Sequence, residues 1–179
     1  MIIPNLLIIS GSSNKSGKTS IACRIIEQFK QLKVIGIKIT PHFHETTDGL
    51  VTIVEEKGYS VFEETNRDIS KDTSRMLHAG AARVFFAKVN DNTLTDAFTE
   101  IMEHVSCNTP VICESPALRN YLEPGLFLIM TSKNDNRQKE IDHYLRLPHI
   151  KFNLDYLSGN EALPLSFGNG KWICWHYGC

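Results

Sequence analysis

The sequence predicts an α/β fold: a mostly parallel central sheet with helices packed on both faces, in three layers. Three observations point there. Short runs that are apolar throughout, and often β-branched, recur along the chain and end in turn residues. Segments with apolar residues at helical spacing separate several of them. Runs without apolar–polar alternation suit strands covered on both faces, and strands alternating with helices need crossovers between parallel neighbours.

The elements follow in order. "NLLIIS" (5–10) ends in Gly and Ser and reads as a buried first strand. The preceding residues lack the basic flank and small-residue cleavage site of a signal peptide. Residues 19–31 place Ile21, Ile25, Ile26 and Phe29 at helical spacing. "VIGIKIT" (34–40) is β-branched and stops at Pro41, giving a second strand. "GLVTIVEE" and "GYSVFEE" then read as a small β-hairpin inserted after it. Residues 71–82 read as a helix with Asp72 as its cap, 83–89 as a strand, and 94–105 as an amphipathic helix. "PVICES" (110–115) and "LFLIMTS" (126–132) are two more buried strands, 135–147 a helix, and 150–157 a last strand. The end, "GNGKWICWHYGC", reads as a tail whose aromatics pack on the body or on a partner subunit; the spacing of Cys174 and Cys179 is weak ground for a metal.

A chain of 179 residues suits one domain, 1–179, with a full core. Nineteen basic residues against twenty acidic ones give no charge excess that would favour nucleic acid or an anionic membrane. No apolar run approaches the roughly 20 residues of a transmembrane helix. Five scattered cysteines without a disulfide-like spacing fit a reducing cytoplasm.

Between the first strand and first helix lies "GSSNKSGKTS". A polyphosphate needs many donors held close together. A strand–loop–helix junction supplies them as backbone N–H groups and the positive end of the helix. In this reading Gly11, Ser12, Ser13, Asn14, Lys15, Ser16, Gly17, Lys18, Thr19 and Ser20 cradle phosphates. Lys18 contacts the β and γ phosphates, and the Thr19 hydroxyl ligates Mg2+. The usual phosphate loop has four residues between its glycines, but here Gly11 and Gly17 enclose five, Ser12 to Ser16. The predicted architecture is therefore a three-layer P-loop nucleotide-binding domain, taking GTP or ATP with Mg2+.

Other residues lie at the carboxyl ends of the expected strands, where ligands sit in such sheets. Glu114 ends "VICE" and reads as a metal carboxylate, against the alternative of an ordinary strand-end acid. Lys38 sits near the end of a strand that should be buried. It either stabilises charge during phosphoryl transfer, as a catalytic partner of Lys18, or snorkels from an edge. Asp72 caps its helix or reaches the metal, and Arg75 faces substrate. "SKND" (132–135) is one substitution from the [NT]-K-x-D with which GTPases read guanine, so Lys133 and Asp135 are base-binding candidates that lean the choice to GTP. His42 and His44, with Glu45 or Asp48, form a weaker transition-metal candidate.

The loop resembles those of two enzyme families: G-T-S-S-G-x-G-K-T of cobyrinic acid a,c-diamide synthases and G-T-D-T-x-x-G-K-T of dethiobiotin synthetases. Both keep five residues between the glycines and a hydroxyl residue where Ser12 stands. A longer resemblance is to molybdopterin-guanine dinucleotide biosynthesis protein B. "GIKITPHFH" (36–44) is similar to that family's V-I-K-H-T-H-H strand, keeping the polar pattern of Lys38, Thr40, His42 and His44. "KDTSRMLHAGA" (71–81) is similar to its K-D-S-x-R-x-x-x-A-G-A, matching at Lys71, Asp72, Arg75, Ala79, Gly80 and Ala81. The second half departs from it: "ESPALRNYLEPG" (114–125) stands where that family has an E-G segment. These resemblances imply an accessory GTPase or ATPase of cofactor biosynthesis, with a partner protein and a homodimeric state; slow hydrolysis is expected because no catalytic base is evident in the sequence. Dethiobiotin synthetases carry a similarly placed active-site lysine, which supports the catalytic reading of Lys38. The alternatives are a carboxylate-activating synthase or ligase of the dethiobiotin or cobyrinate type, a metal-insertion GTPase using the histidines and cysteines, and a nucleotide-binding regulator without turnover.

Overall fold

The computed structural model describes residues 1–11, 16–41, 48–68, 71–131, 142–153 and 161–175. Its elements are β1 (Ile2–Gly11), α1 (Lys18–Phe29), β2 (Ile35–Thr40), β3 (Leu50–Glu56), β4 (Tyr59–Glu64), α2 (Asp72–His78) and β5 (Arg83–Val89). They continue with α3 (Leu94–Glu103), β6 (Val111–Glu114), β7 (Glu123–Thr131), α4 (Asp142–Leu145), β8 (Ile150–Asn153), β9 (Leu165–Gly168) and β10 (Lys171–Cys174). The fold is α/β, with one large, mostly parallel sheet of eight strands in the order β3-β4-β5-β2-β6-β1-β7-β8. Every neighbouring pair from β5 to β8 is parallel; β3 and β4 form an antiparallel hairpin that extends the β5 edge.

Alternate residues of the central strands go to opposite faces, as the pleat requires. Leu6, Ile8, Ile37, Phe85 and Cys113 join Phe98 and Ile101 of α3 on one face. Leu7, Ile9, Val84, Ile112 and Leu128 join Ile21 and Ile25 of α1 and Met76 of α2 on the other. Each fully buried aliphatic side chain contributes about 1.5–3 kcal/mol relative to an exposed one. Burial on both faces is why the strands read as unbroken apolar runs. No helix among the described residues is long and apolar enough to cross a membrane.

The structure departs from the sequence reading in several places. β1 begins at Ile2 and not at residue 5, and its pairing with β7 shifts register between Ile3 and Leu7, which accommodates Pro4. α2 stops at His78, where the chain turns away through Ala79 and Gly80. Asp72 is the first helical residue and not the cap; the Ser74 hydroxyl accepts from the Lys71 N–H at 3.1 Å instead. Up to residue 174 the last segment is a β-hairpin, and its Trp172 packs on the body, one of the two placements expected for the tail's aromatics. β9 and β10 form a hairpin through Asn169 and Gly170, whose φ values of 52° and 70° fit a two-residue primed turn. This hairpin buries Trp172 edge-on against Phe29 and Phe167, with centroids 5.1 and 5.0 Å away. The Trp172 indole N–H donates to the Asn5 carbonyl at 2.9 Å, tying the hairpin to β1.

Candidate functional site

β2, β6 and β1 are adjacent and parallel, so their carboxyl ends share one rim of the sheet. After β1 the chain passes to α1 on one face. After β6 it passes to a 3-10 turn (Pro116–Asn120) whose Leu118 packs on the other face. Neighbouring strands that send their connections to opposite faces leave a crevice between the two departures. A cavity of about 740 Å3 lies there.

The loop residues on its floor are sterically specified. A Cβ on Gly11 would lie 1.9 Å from the Ser16 hydroxyl, so the buried Ser16 can fold back over β1 only if residue 11 is glycine. Gly17 caps α1 with φ 85°, a left-handed conformation that suits glycine. Lys18 opens the helix, and its ammonium lies 3.4 Å from the Ser16 hydroxyl oxygen. The first N–H groups of α1 have no partner within the helix and carry its positive end into the cavity. Ser12, Ser13, Asn14 and Lys15 lie outside the described residues, as do Lys133, Asp135, His42, His44 and Glu45.

Opposite α1, sheet register brings two distant residues together. Lys38 of β2 is directly paired with Glu114 of β6, and both side chains project to the face that α1 and α2 cover. The Thr19 hydroxyl donates to Glu114 Oε2 at 3.2 Å. Lys38 Nζ is ion-paired with Asp72 and lies 3.8 Å from the same Glu114 oxygen. Arg75 Nη1 is 3.7 Å from Asp72, and its Nη2 donates to the Ser20 hydroxyl at 3.2 Å. Thr19, Ser20, Lys38, Asp72, Arg75 and Glu114 thus form one connected polar network. α2 is fixed beside it by a buried bond from Thr73 to Glu64 at 2.8 Å.

The two carboxylates are tuned in opposite directions. Burial pushes the Glu114 carboxyl above its usual range, and Asp72 adds to this; Lys38, Thr19 and Lys18 oppose it. Desolvation also works to raise Asp72, but the Lys38 hydrogen bond and charge outweigh it. With help from Thr19 and Arg75 they hold Asp72 below its ordinary value. A depressed carboxylate contributes stability that is present above its unfolded value, near 3.8, and lost as pH falls through the folded one. Asp72→Asn is therefore expected to lower the melting temperature at neutral pH and to flatten its decline below the unfolded value. Thermal melts across the acid range check this; an unaltered acid limb would remove Asp72 from the account.

No protein-family model, curated protein or solved structure matches this chain.

The donor set suits a hard divalent cation. Mg2+ is held by one or two oxygen ligands plus phosphate oxygens and water. Here the Thr19 hydroxyl and Glu114 carboxylate meet at the helix start, and Glu114 Oε1 is buried without a hydrogen-bond partner. An orphaned buried carboxylate oxygen at the mouth of a polar cavity is the kind of atom an ion or its water satisfies. Asp72 is less available, being engaged by Lys38 and Arg75. No group of three His, Cys, Asp or Glu that could hold a metal occurs among the described residues.

Sequence reasoning missed part of the cavity. Ser10, whose hydroxyl is buried and unpartnered, lies beside the loop. Val89, Asp91, Leu94 and Tyr144 also line it, and Val89, Leu94 and Tyr144 belong to the core on the α3 face of the sheet. Asp91 could have been found, because it lies two residues past a strand end; Tyr144 carries no such signal.

Proposed function

We propose that this cavity binds a nucleoside triphosphate with Mg2+ and hydrolyses it slowly, the chain being a P-loop NTPase that serves as an accessory protein in cofactor biosynthesis. The observation that carries the reading is the Thr19–Glu114 contact at the start of α1, beside Lys18 and with one Glu114 oxygen unsatisfied. Lys18 and the α1 N–H groups neutralise the β and γ phosphates. Thr19 and Glu114 hold Mg2+, which when bound offsets charge on those phosphates. Lys38, at the cavity wall, meets the charge that develops on the transferred phosphoryl group. Slow hydrolysis is expected because no residue among those described stands out as a catalytic base.

The base choice leans to GTP through Lys133 and Asp135, and the pathway assignment rests on the resemblance of residues 36–44 and 71–81. Calorimetric titration with ATP and GTP, with and without Mg2+, tests the reading. Saturable, Mg2+-dependent binding of at least one nucleotide is expected; binding of neither sinks it. The reach of the cavity to Asp91 and Tyr144, within about 740 Å3, favours one second reading, a carboxylate-activating synthase, because it leaves room for an acceptor beside a nucleotide. Turnover stimulated by a small-molecule acceptor and not by a protein partner would favour that second reading.

A further inference from the structure

The oxygens that meet at the start of α1 already hold a cation, and that cation is part of the chain. Lys38 Nζ is ion-paired with Asp72 Oδ2 and lies 3.8 Å from Glu114 Oε2. The Thr19 hydroxyl donates to the same Glu114 oxygen at 3.2 Å and helps to hold Asp72 ionised. Oxygens from α1, α2 and β6 thus meet beside one ammonium. Mg2+ takes its ligands at 2.0–2.1 Å in an octahedron, so neighbouring ligands stand about 3 Å apart. The Thr19 and Glu114 oxygens are close to that spacing. Two carboxylates and a hydroxyl, completed by water or phosphate, form a fitting set. The ammonium competes for it: a metal ion beside Lys38 Nζ meets direct repulsion, at carboxylates whose charge Lys38 already offsets.

Lys38 is free to leave, and Asp72 is not. The Lys38 side chain is 25% exposed and lines the cavity, so its flexible stem can carry the ammonium off Asp72. Arg75 holds Asp72 from the other side, its Nη1 3.7 Å from Oδ1 while its Nη2 donates to Ser20 at 3.2 Å. The next residue of α2, Thr73, is fastened to the buried Glu64. Departure of the ammonium therefore bares Asp72 Oδ2 and Glu114 Oε2 together, with both carboxylates kept in place.

We propose that Lys38 is a tethered stand-in for the metal, so that Mg2+ is admitted only when a phosphate draws the ammonium away. The inference deepens the nucleotide reading and rests on it, because the nucleotide's phosphates supply the anion to which Lys38 moves. Lys38 then sets the order of binding before it takes any part in phosphoryl transfer. Metal and nucleotide each favour the other's binding, and by the same factor. A static Lys38–Asp72 bridge is the alternative, and it places no such condition on the metal.

Mn2+, an ion of similar ligand preference whose unbound form is counted by electron paramagnetic resonance, is the probe, used without nucleotide. The native chain is expected to bind it at this site no tighter than about 1 mM. Lys38→Met keeps an apolar stem and removes the charge, and one Mn2+ per chain should then bind at least about tenfold tighter. Adding Glu114→Gln to that variant should abolish the gain, which assigns the ion to this set and not to surface acids. Lys38→Gln, whose amide still donates to Asp72, takes its place if Lys38→Met does not fold. Binding no tighter in the Lys38 variant than in the native chain overturns the proposal. So does a gain that survives Glu114→Gln, or native binding tighter than about 1 mM that Glu114→Gln removes. No arm contains nucleotide, so the two readings fail separately. No gain, with nucleotide binding intact, sinks this proposal alone; a gain without nucleotide binding sinks the nucleotide reading and leaves Lys38 as the occupant of a metal site.

Discussion

Lys18→Ala is expected to abolish measurable nucleotide binding while leaving the fold intact. Lys18 is half-buried at the first position of α1, and the apolar stripe of that helix, Ile21, Ala22, Ile25 and Ile26, does not include it. Alanine is also the best helix former, so the substitution costs α1 nothing in propensity. The ammonium, in contrast, is aimed into the cavity beside Ser16 and Thr19. Removing one partner of a desolvated charge pair costs about 2–5 kcal/mol, or at least about 30-fold in Kd. Lys18→Arg is expected to rescue poorly, because a planar guanidinium does not replace a compact ammonium inside a tight loop. Calorimetric titration with the Mg2+ nucleotide, alongside a thermal melt, separates the two effects. Nucleotide affinity within a few-fold of the parent would dismiss the phosphate-loop reading, whereas a collapsed melt would mean that Lys18 is structural.

The sheet was legible because its chemistry is local. A strand buried on both faces must be apolar at successive positions, so 34–40, 83–89 and 110–115 declared themselves. The hairpin of β3 and β4 was legible for another reason, two runs flanking a turn at Lys57 and Gly58, since β3 is an edge strand and largely exposed. The β9–β10 hairpin was missed although Asn169–Gly170 is a strong turn signal. Its strands are four residues each, and the aromatics of "KWICW" drew the reading towards a docking tail. The site was legible only where each residue could be judged alone. Gly11, Gly17, Lys18 and Thr19 follow from one contiguous motif, and Glu114 from its place at a strand end. The pairing of Lys38 with Glu114 depends on β2 lying next to β6, a fact of strand order that spans 76 positions of sequence. The engagement of Asp72 by Lys38, in place of a helix-capping role, depends on α2 packing over β2 beside β5.

Glu114→Gln should stabilise the nucleotide-free protein and at the same time weaken its Mg2+-dependent binding. The carboxylate is buried, one of its oxygens has no hydrogen-bond partner, and its pKa is raised chiefly by desolvation. A carboxyl raised in the folded state stabilises most when protonated, below its unfolded pKa, and that contribution is lost as pH rises through the folded pKa. At neutral pH the charged form therefore works against folding. Glutamine keeps the shape, can still accept from Thr19, and carries no charge. Lys38 loses one partner 3.8 Å away but keeps the closer Asp72. Removing the buried charge is worth on the order of 1 kcal/mol, part of which is lost because the amide NH2 takes the place of the unsatisfied oxygen; the rise is at most about 2–4 °C in melting temperature for a chain of this size. The metal side moves the other way, because a neutral amide is a poor partner for Mg2+ and its water. Nucleotide affinity in Mg2+ should fall at least about tenfold, towards the value without metal. The opposite signs make this variant diagnostic: a residue kept for packing or pairing loses stability when changed, whereas one kept for a ligand gains it. A lowered melting temperature with unchanged Mg2+ dependence would assign Glu114 to the Lys38 ion-pair network and take it out of the metal site.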